Sequence, residues 1–218
     1  KNKKILFEIA HPKHFYQFKP LIKLLKENND IQIISREKDV VIDLLNFVEF
    51  DYIKCGVHGK NMFTKIFFAL PLILFDYIKV VKHFNPDIII SRASHYSIFV
   101  SKLFRSKSIV FPDSDVVPII NYFVGPYADL VISPSSFNLC YGKHHHFING
   151  LFEEAYLSPI LYKPESKILS SIGLEKKERY FIVRFVGWNA NHDVFKKGFS
   201  LKQKYNLIKK LEKYGKVL

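Results

Sequence analysis

Apolar positions in this chain recur at two spacings. Short β-rich runs at 4–10, 31–35, 51–55, 87–91, 108–111 and 130–133 are separated by stretches whose apolar side chains return every three or four residues, the spacing that lines one helix face. Phe18, Leu21, Ile22, Leu24 and Leu25 do so in a helix predicted over 15–28, and 39–47 and 97–104 read the same way. Strand and helix in turn at this rhythm predict right-handed βαβ units around a parallel sheet. The predicted fold class is α/β, a doubly wound Rossmann-like domain. Polar loops follow the strands at 11–14, 56–61, 91–96, 112–115 and 133–136. In a parallel sheet they meet at the carboxyl edge, where α/β domains bind ligands.

Residues 63–84 are heavily apolar, but Lys65, Pro71, Asp76 and Lys79 interrupt the run of about 20 residues that a membrane span requires. Two readings stay open: a buried crossover helix, or a helix resting in a membrane surface between Lys65, Lys79 and Lys82. The His144–His146 run reads as an exposed loop. Pro159, Pro164 and the charged stretch 175–179 mark a connector, after which a strand at Tyr180, a helical pattern over 201–214 and an apolar end at 216–218 form the opening of a second α/β unit. The expected organisation is residues 1–158 as the first domain, 159–179 as connector and 180–218 as an incomplete second domain, with further chain beyond Leu218.

Composition narrows the classes. A hydrophobic content of 48% supports a real core. Cys55 and Cys140 form no closely spaced pair, which argues against a disulfide framework or a thiolate zinc site and for a reducing compartment. With no basic-then-apolar leader read at the start, the expectation is a cytoplasmic protein. The formal charge of +13 concentrates late: residues 163–218 carry 14 basic against 5 acidic side chains, and 1–162 carry 19 against 15. No nucleic-acid-binding motif accompanies that charge, so nucleic acid is not expected as a partner.

Four groups of residues could carry chemistry. His11 and His14 flank Pro12 at the first strand-to-helix turn, where free N–H groups and the helix dipole suit an anion and a histidine can act as base; capping of the helix is the alternative. Gly56 and Gly59 flank His58, as a ligand-approaching turn or a plain one. Asp113 and Asp115 could orient a hydroxyl or serve acid–base chemistry, or cap the following segment. Arg184, Trp188, Asn189, His192, Asp193, Gly198 and Ser200 follow the strand at Tyr180, and the Gly-Phe-Ser turn could present N–H groups to phosphate. Otherwise Trp188 fills a core and His192 pairs with Asp193.

These stretches resemble the DUF354 family, related to GT-B glycosyltransferases and to the non-hydrolysing UDP-N-acetylglucosamine 2-epimerases. The resemblance runs through Glu8-Ile-Ala-His-Pro-Lys-His14, Gly56-Val-His-Gly59, Phe111-Pro-Asp113, Asn149-Gly150 with Glu153, and Arg184 to Asp193. His11, Lys13 and Tyr16 depart from the family's pattern, as does Asp113-Ser-Asp115, which puts the acceptor in doubt. The resemblance implies a GT-B type fold and a metal-independent, cofactor-free transfer of sugar from a nucleotide-sugar donor, a UDP-sugar, to a cell-envelope polysaccharide or lipid-linked acceptor. His14 with Asp113 would be catalytic; His11, His58, Gly59, Asp115, Glu153, Arg184, Trp188, Asn189, His192, Asp193, Gly198 and Ser200 would bind substrate. A peripheral membrane contact through 63–84 is the expected partner surface. The alternatives are a UDP-sugar 2-epimerase using Asp113, Asp115 and Glu153, and a non-catalytic binding protein.

Overall fold

The computed structural model describes residues 2–36, 40–56, 70–112, 114–165, 167–185 and 198–218. The chain divides into two compact units, Lys1–Tyr162 and Lys163–Leu218.

The first unit is a seven-stranded sheet of β1 (Lys4–Ile9), β2 (Asp30–Ser35), β3 (Ile53–Lys54), β4 (Ile88–Ser91), β5 (Lys107–Val110), β6 (Leu130–Pro134) and β7 (His145–Ile148). Every neighbouring pair is parallel, in the order β3-β2-β1-β4-β5-β6-β7. The α/β reading of the sequence holds. Between the strands lie α1 (Pro12–Lys26), α2 (Val41–Phe47), α3 (Leu70–Phe84), α4 (His95–Phe104) and α5 (Pro118–Phe123), and α6 (Glu154–Leu157) follows β7.

Strand alternation assigns the two faces. Ile5, Phe7 and Ile9 of β1 pack with Phe15, Phe18 and Ile22 of α1 and with Val41 and Leu45 of α2. Leu6 points the other way, into a cluster with Ile73, Tyr77 and Val81 of α3 and Tyr96 and Val100 of α4. A third cluster joins Ile98 of α4 and Ile120 of α5 to β5 and β6. Edge-to-face rings extend the first cluster toward the carboxyl edge, from Phe7 to Phe18 at 5.6 Å, Phe18 to Phe111 at 5.5 Å and Phe111 to Phe152 at 5.8 Å. This aromatic chain carries the segment after β7 to α1.

β7 corrects one expectation. The histidine run opens a strand because His145 is buried, with Nε2 2.8 Å from the Ser133 hydroxyl and its ring stacked on Tyr141. Burial first, and the neighbouring His144 and His146, push its pKa down, so the ring fits the sheet uncharged.

The second unit contains α7 (Lys167–Ser171), β8 (Tyr180–Phe181), α8 (Leu201–Leu211) and β9 (Lys216–Val217). β8 and β9 pair in parallel around α8, the βαβ piece expected from the sequence.

Candidate functional site

Strand order reverses at β1 and β4, so the loops leaving these neighbours turn opposite ways and open a crevice at the carboxyl edge. On one side α1 begins earlier than periodicity suggested. His11 is its N-cap, with Nδ1 accepting the Lys13 N–H at 3.2 Å, and Pro12 occupies the first turn. His14 therefore sits in the helix, where its Nδ1 accepts the Ala10 N–H at 3.3 Å, and the two imidazoles lie 5.9 Å apart. Lys13 Nζ reaches Glu153 Oε1 at 3.3 Å, and Tyr16 packs on Tyr156. Glu153, far away in sequence, is thus tied through Lys13 to the first turn of α1, which carries His14 and is capped by His11.

Arg92, buried just past β4, donates from Nη1 to Gln17 Oε1 and lies 4.6 Å over the Phe152 ring. Glu153's own backbone N–H, opposed by partial burial and joined by Lys13 and Arg92, holds its carboxyl below the usual range. A groove of about 1300 Å³ continues from here along α1, with Tyr16, Phe111, Phe152 and Tyr156 among its walls.

The opposite sheet face holds an ion pair with a buried carboxylate that the sequence reading did not single out. Glu8 alternates onto the α3 side of β1 and is only 4% exposed. Its Oε1 accepts Arg36 Nη2 at 3.2 Å and its Oε2 the Tyr77 hydroxyl at 3.4 Å. Arg36 in turn lies over the Tyr96 ring at 5.7 Å. The available signal was a carboxylate inside an otherwise apolar strand, a charge almost never buried without a partner. Nearby, Gly56 turns at φ 67° and donates to Asp76 Oδ2 at 2.7 Å; a Cβ there would meet Ile73 Cγ1 at 2.2 Å. The glycine serves a close approach to α3.

The remaining predicted residues divide. Asp115 Oδ2 accepts from Asn138 N and Nδ2 at 3.2 and 3.0 Å, tying the loop after β5 to the loop after β6, and these bonds lower its pKa. Arg184, Gly198 and Ser200 belong to the second unit and are exposed. Ser200 caps α8 in a reciprocal box with Gln203, which engages both its hydroxyl and its N–H. Asp113, His58, Gly59, Trp188, Asn189, His192 and Asp193 lie outside the described residues. Among the described residues no three His, Cys, Asp or Glu side chains are grouped to hold a metal ion, and no helix is long and apolar enough to cross a membrane.

A UDP-N-acetylglucosamine 2-epimerase from Rickettsia bellii matches 99% of this chain and 60% of its own, at 13% identity and a TM-score of 0.68. The spinosyn forosaminyltransferase SpnP matches 95% of this chain and 62% of its own, at 11% identity and 0.58. The fold is of GT-B type. S. aureus MnaA, in a structure with UDP, matches 83% of this chain and 52% of its own at 13% identity and 0.57. The chain thus spans little more than half the length of these GT-B neighbours. No protein-family model matches it, and no curated protein matches it in sequence.

Proposed function

We propose that the protein is a GT-B-type glycosyltransferase that moves a sugar from a UDP-sugar to a cell-envelope polysaccharide or lipid-linked acceptor, with no metal or other cofactor. The supporting observation is His14 in the first turn of α1, at the edge where strand order reverses, gathered with His11 and the Lys13–Glu153 pair.

In this reading the acceptor hydroxyl attacks the anomeric carbon of the donor. The new C–O bond forms as the bond from that carbon to the diphosphate oxygen breaks, and the nucleoside diphosphate leaves with the electron pair. The hydroxyl proton passes to His14. The 3.3 Å contact between its Nδ1 and the Ala10 N–H is at the long, weak end for a hydrogen bond, and it is surrendered when the ring accepts the proton; catalytic contacts commonly reset in the complex. Asp113 assists as the second catalytic residue. His11, His58, Gly59, Asp115 and Glu153 hold the acceptor. Arg184, Trp188, Asn189, His192, Asp193 and Gly198 meet the donor, with Ser200 fixing the first turn of α8. Charge leaving on the diphosphate is stabilised by N–H groups and Arg184 rather than by a metal. The reaction takes place in the cytoplasm, at the inner face of the membrane, where part of 63–84 makes peripheral contact.

The kinship of fold also admits epimerisation, which requires a base to take the proton from C2 of the sugar. In that reading Asp113, Asp115 and Glu153 supply the carboxylates; Glu153's own backbone N–H and Asn138 beside Asp115 lower the pKa of the latter two.

Substituting His14→Gln tests the assignment. Loss of the general base is expected to lower kcat by about 10²–10⁴-fold with an unchanged melting temperature. Undiminished turnover of a donor and acceptor pair would remove His14 from the mechanism.

A further inference from the structure

We propose that the outer surface of α3, α4 and α5 is a docking face for an anionic lipid bilayer. The proposal rests on the transferase reading, in which the acceptor is membrane-associated, and widens the contact from 63–84 to three helices.

The three helices lie side by side on one face of the sheet, α4 packed against both of the others. Each turns one side into the core and leaves large apolar side chains outward. In α4, Tyr96, Ile98 and Val100 are buried while Phe99 and Leu103, one turn apart, are 54% and 55% exposed. In α5, Ile120 is buried while Tyr122 and Phe123 are 71% and 65% exposed; α3 adds Phe75 at 65%. A parallel sheet of this kind needs one helical layer on each face. Here that layer is already in place, so its outer surface would ordinarily be polar. Large apolar side chains left outward on all three helices of that layer point to an interaction site.

Charge selects the occupant. The exposed basic groups of these helices include Lys79 and Lys82 of α3 and Arg105 just after α4, whereas Lys102 of α4 is engaged with Asp129 at 3.2 Å. Aromatic and aliphatic side chains interleaved with lysines match a bilayer interface, where rings enter the headgroup boundary and ammonium groups meet lipid phosphates.

The placement also serves the site. α3, α4 and α5 all begin at the carboxyl edge of the sheet, so a bilayer against their outer side lies beside the crevice that holds His14. An acceptor anchored in the membrane then has a short path to the proposed base.

Co-sedimentation tests the surface with vesicles of equal parts phosphatidylcholine and phosphatidylglycerol, and with phosphatidylcholine alone. The wild type is expected to bind the mixed vesicles and to bind the neutral ones much more weakly. Combining Phe99→Ser, Tyr122→Ser and Phe123→Ser should weaken partitioning by at least about tenfold, since three buried rings are lost. Lys79→Glu with Lys82→Glu should remove the preference for anionic lipid. Leu24→Ser, on the exposed side of α1, should change nothing. Equal binding of wild type and triple variant would overturn the proposal. So would absence of binding together with a concentration-dependent dimer that the triple variant dissolves. Transfer to a soluble acceptor should be unchanged in all these variants. Lost vesicle binding with intact transfer therefore speaks to the surface alone, and intact vesicle binding without any transfer speaks against the enzyme reading.

Discussion

Lys13 Nζ and Glu153 Oε1 lie 3.3 Å apart and join the first turn of α1 to the segment after β7. Both side chains remain more than a third exposed, so water screens the pair and its share of stability is well under about 1 kcal/mol. Its larger role is geometric, because it ties the segment after β7 to the helical turn that carries His14. Lys13→Met should leave the melting temperature within about a degree or two of wild type and raise KM for the acceptor more than it lowers kcat. A fall in kcat at constant KM would instead make Lys13 part of the chemical step.

Glu8 and Arg36 form an unequal pair, the carboxylate buried and the guanidinium half-buried. Removing Arg36 leaves a buried charge with, among the described residues, Tyr77 alone to satisfy it, a loss on the order of 3–5 kcal/mol. Glu8→Gln leaves Arg36 able to reach water and should cost clearly less. Chemical denaturation of Arg36→Met and Glu8→Gln gives the order directly, and a larger loss in Glu8→Gln would contradict the assigned burial.

The two cysteines differ in reach. Cys55 is buried and Cys140 exposed; burial first, then the charges of Asp76 and Glu8, push the Cys55 thiol up to about 12. Only thiolate reacts appreciably with disulfide reagents. Native protein at pH 8 should therefore release one equivalent of thionitrobenzoate promptly and the second only on unfolding. Two fast equivalents would show that the α3 side of the sheet is open.

Asp129 sets an acid limb. Partial burial raises its pKa, but hydrogen bonds from Lys107, from the Ser108 N–H and hydroxyl, and from Lys102 outweigh this and hold it well below the usual range. A carboxyl lowered on folding stabilises the native state above its unfolded value near 3.9, and that contribution fades as pH falls through the folded value. Asp129→Asn should thus lower the melting temperature at pH 7, with the two curves converging below about pH 4. A gap independent of pH would assign the loss to packing.

The sheet was legible in the sequence because each strand is an apolar run bounded by turns, and the helices between carry one apolar stripe. Two features escaped for physical reasons. His145 looked like part of a polar run, yet a neutral imidazole bonded to Ser133 is tolerated inside a sheet. Glu8 and Arg36 lie 28 residues apart, and only the parallel pairing of β1 with β2 brings them together. At the candidate site, local motifs exposed His11 and His14, whereas Glu153 beside them depends on the aromatic chain from Phe7 to Phe152. Arg92 could not be found from periodicity at all, since its position follows from the end of β4 rather than from a pattern.

Deuterium tracing tests the central claim most directly. The protein is incubated with UDP-N-acetylglucosamine and other UDP-sugars in deuterated water, with and without an envelope glycan or lipid-linked acceptor, and both C2 exchange and UDP release are followed. A transferase releases UDP only with acceptor and keeps protium at C2. Deuterium at C2 in the absence of any acceptor would contradict the account and make the protein an epimerase.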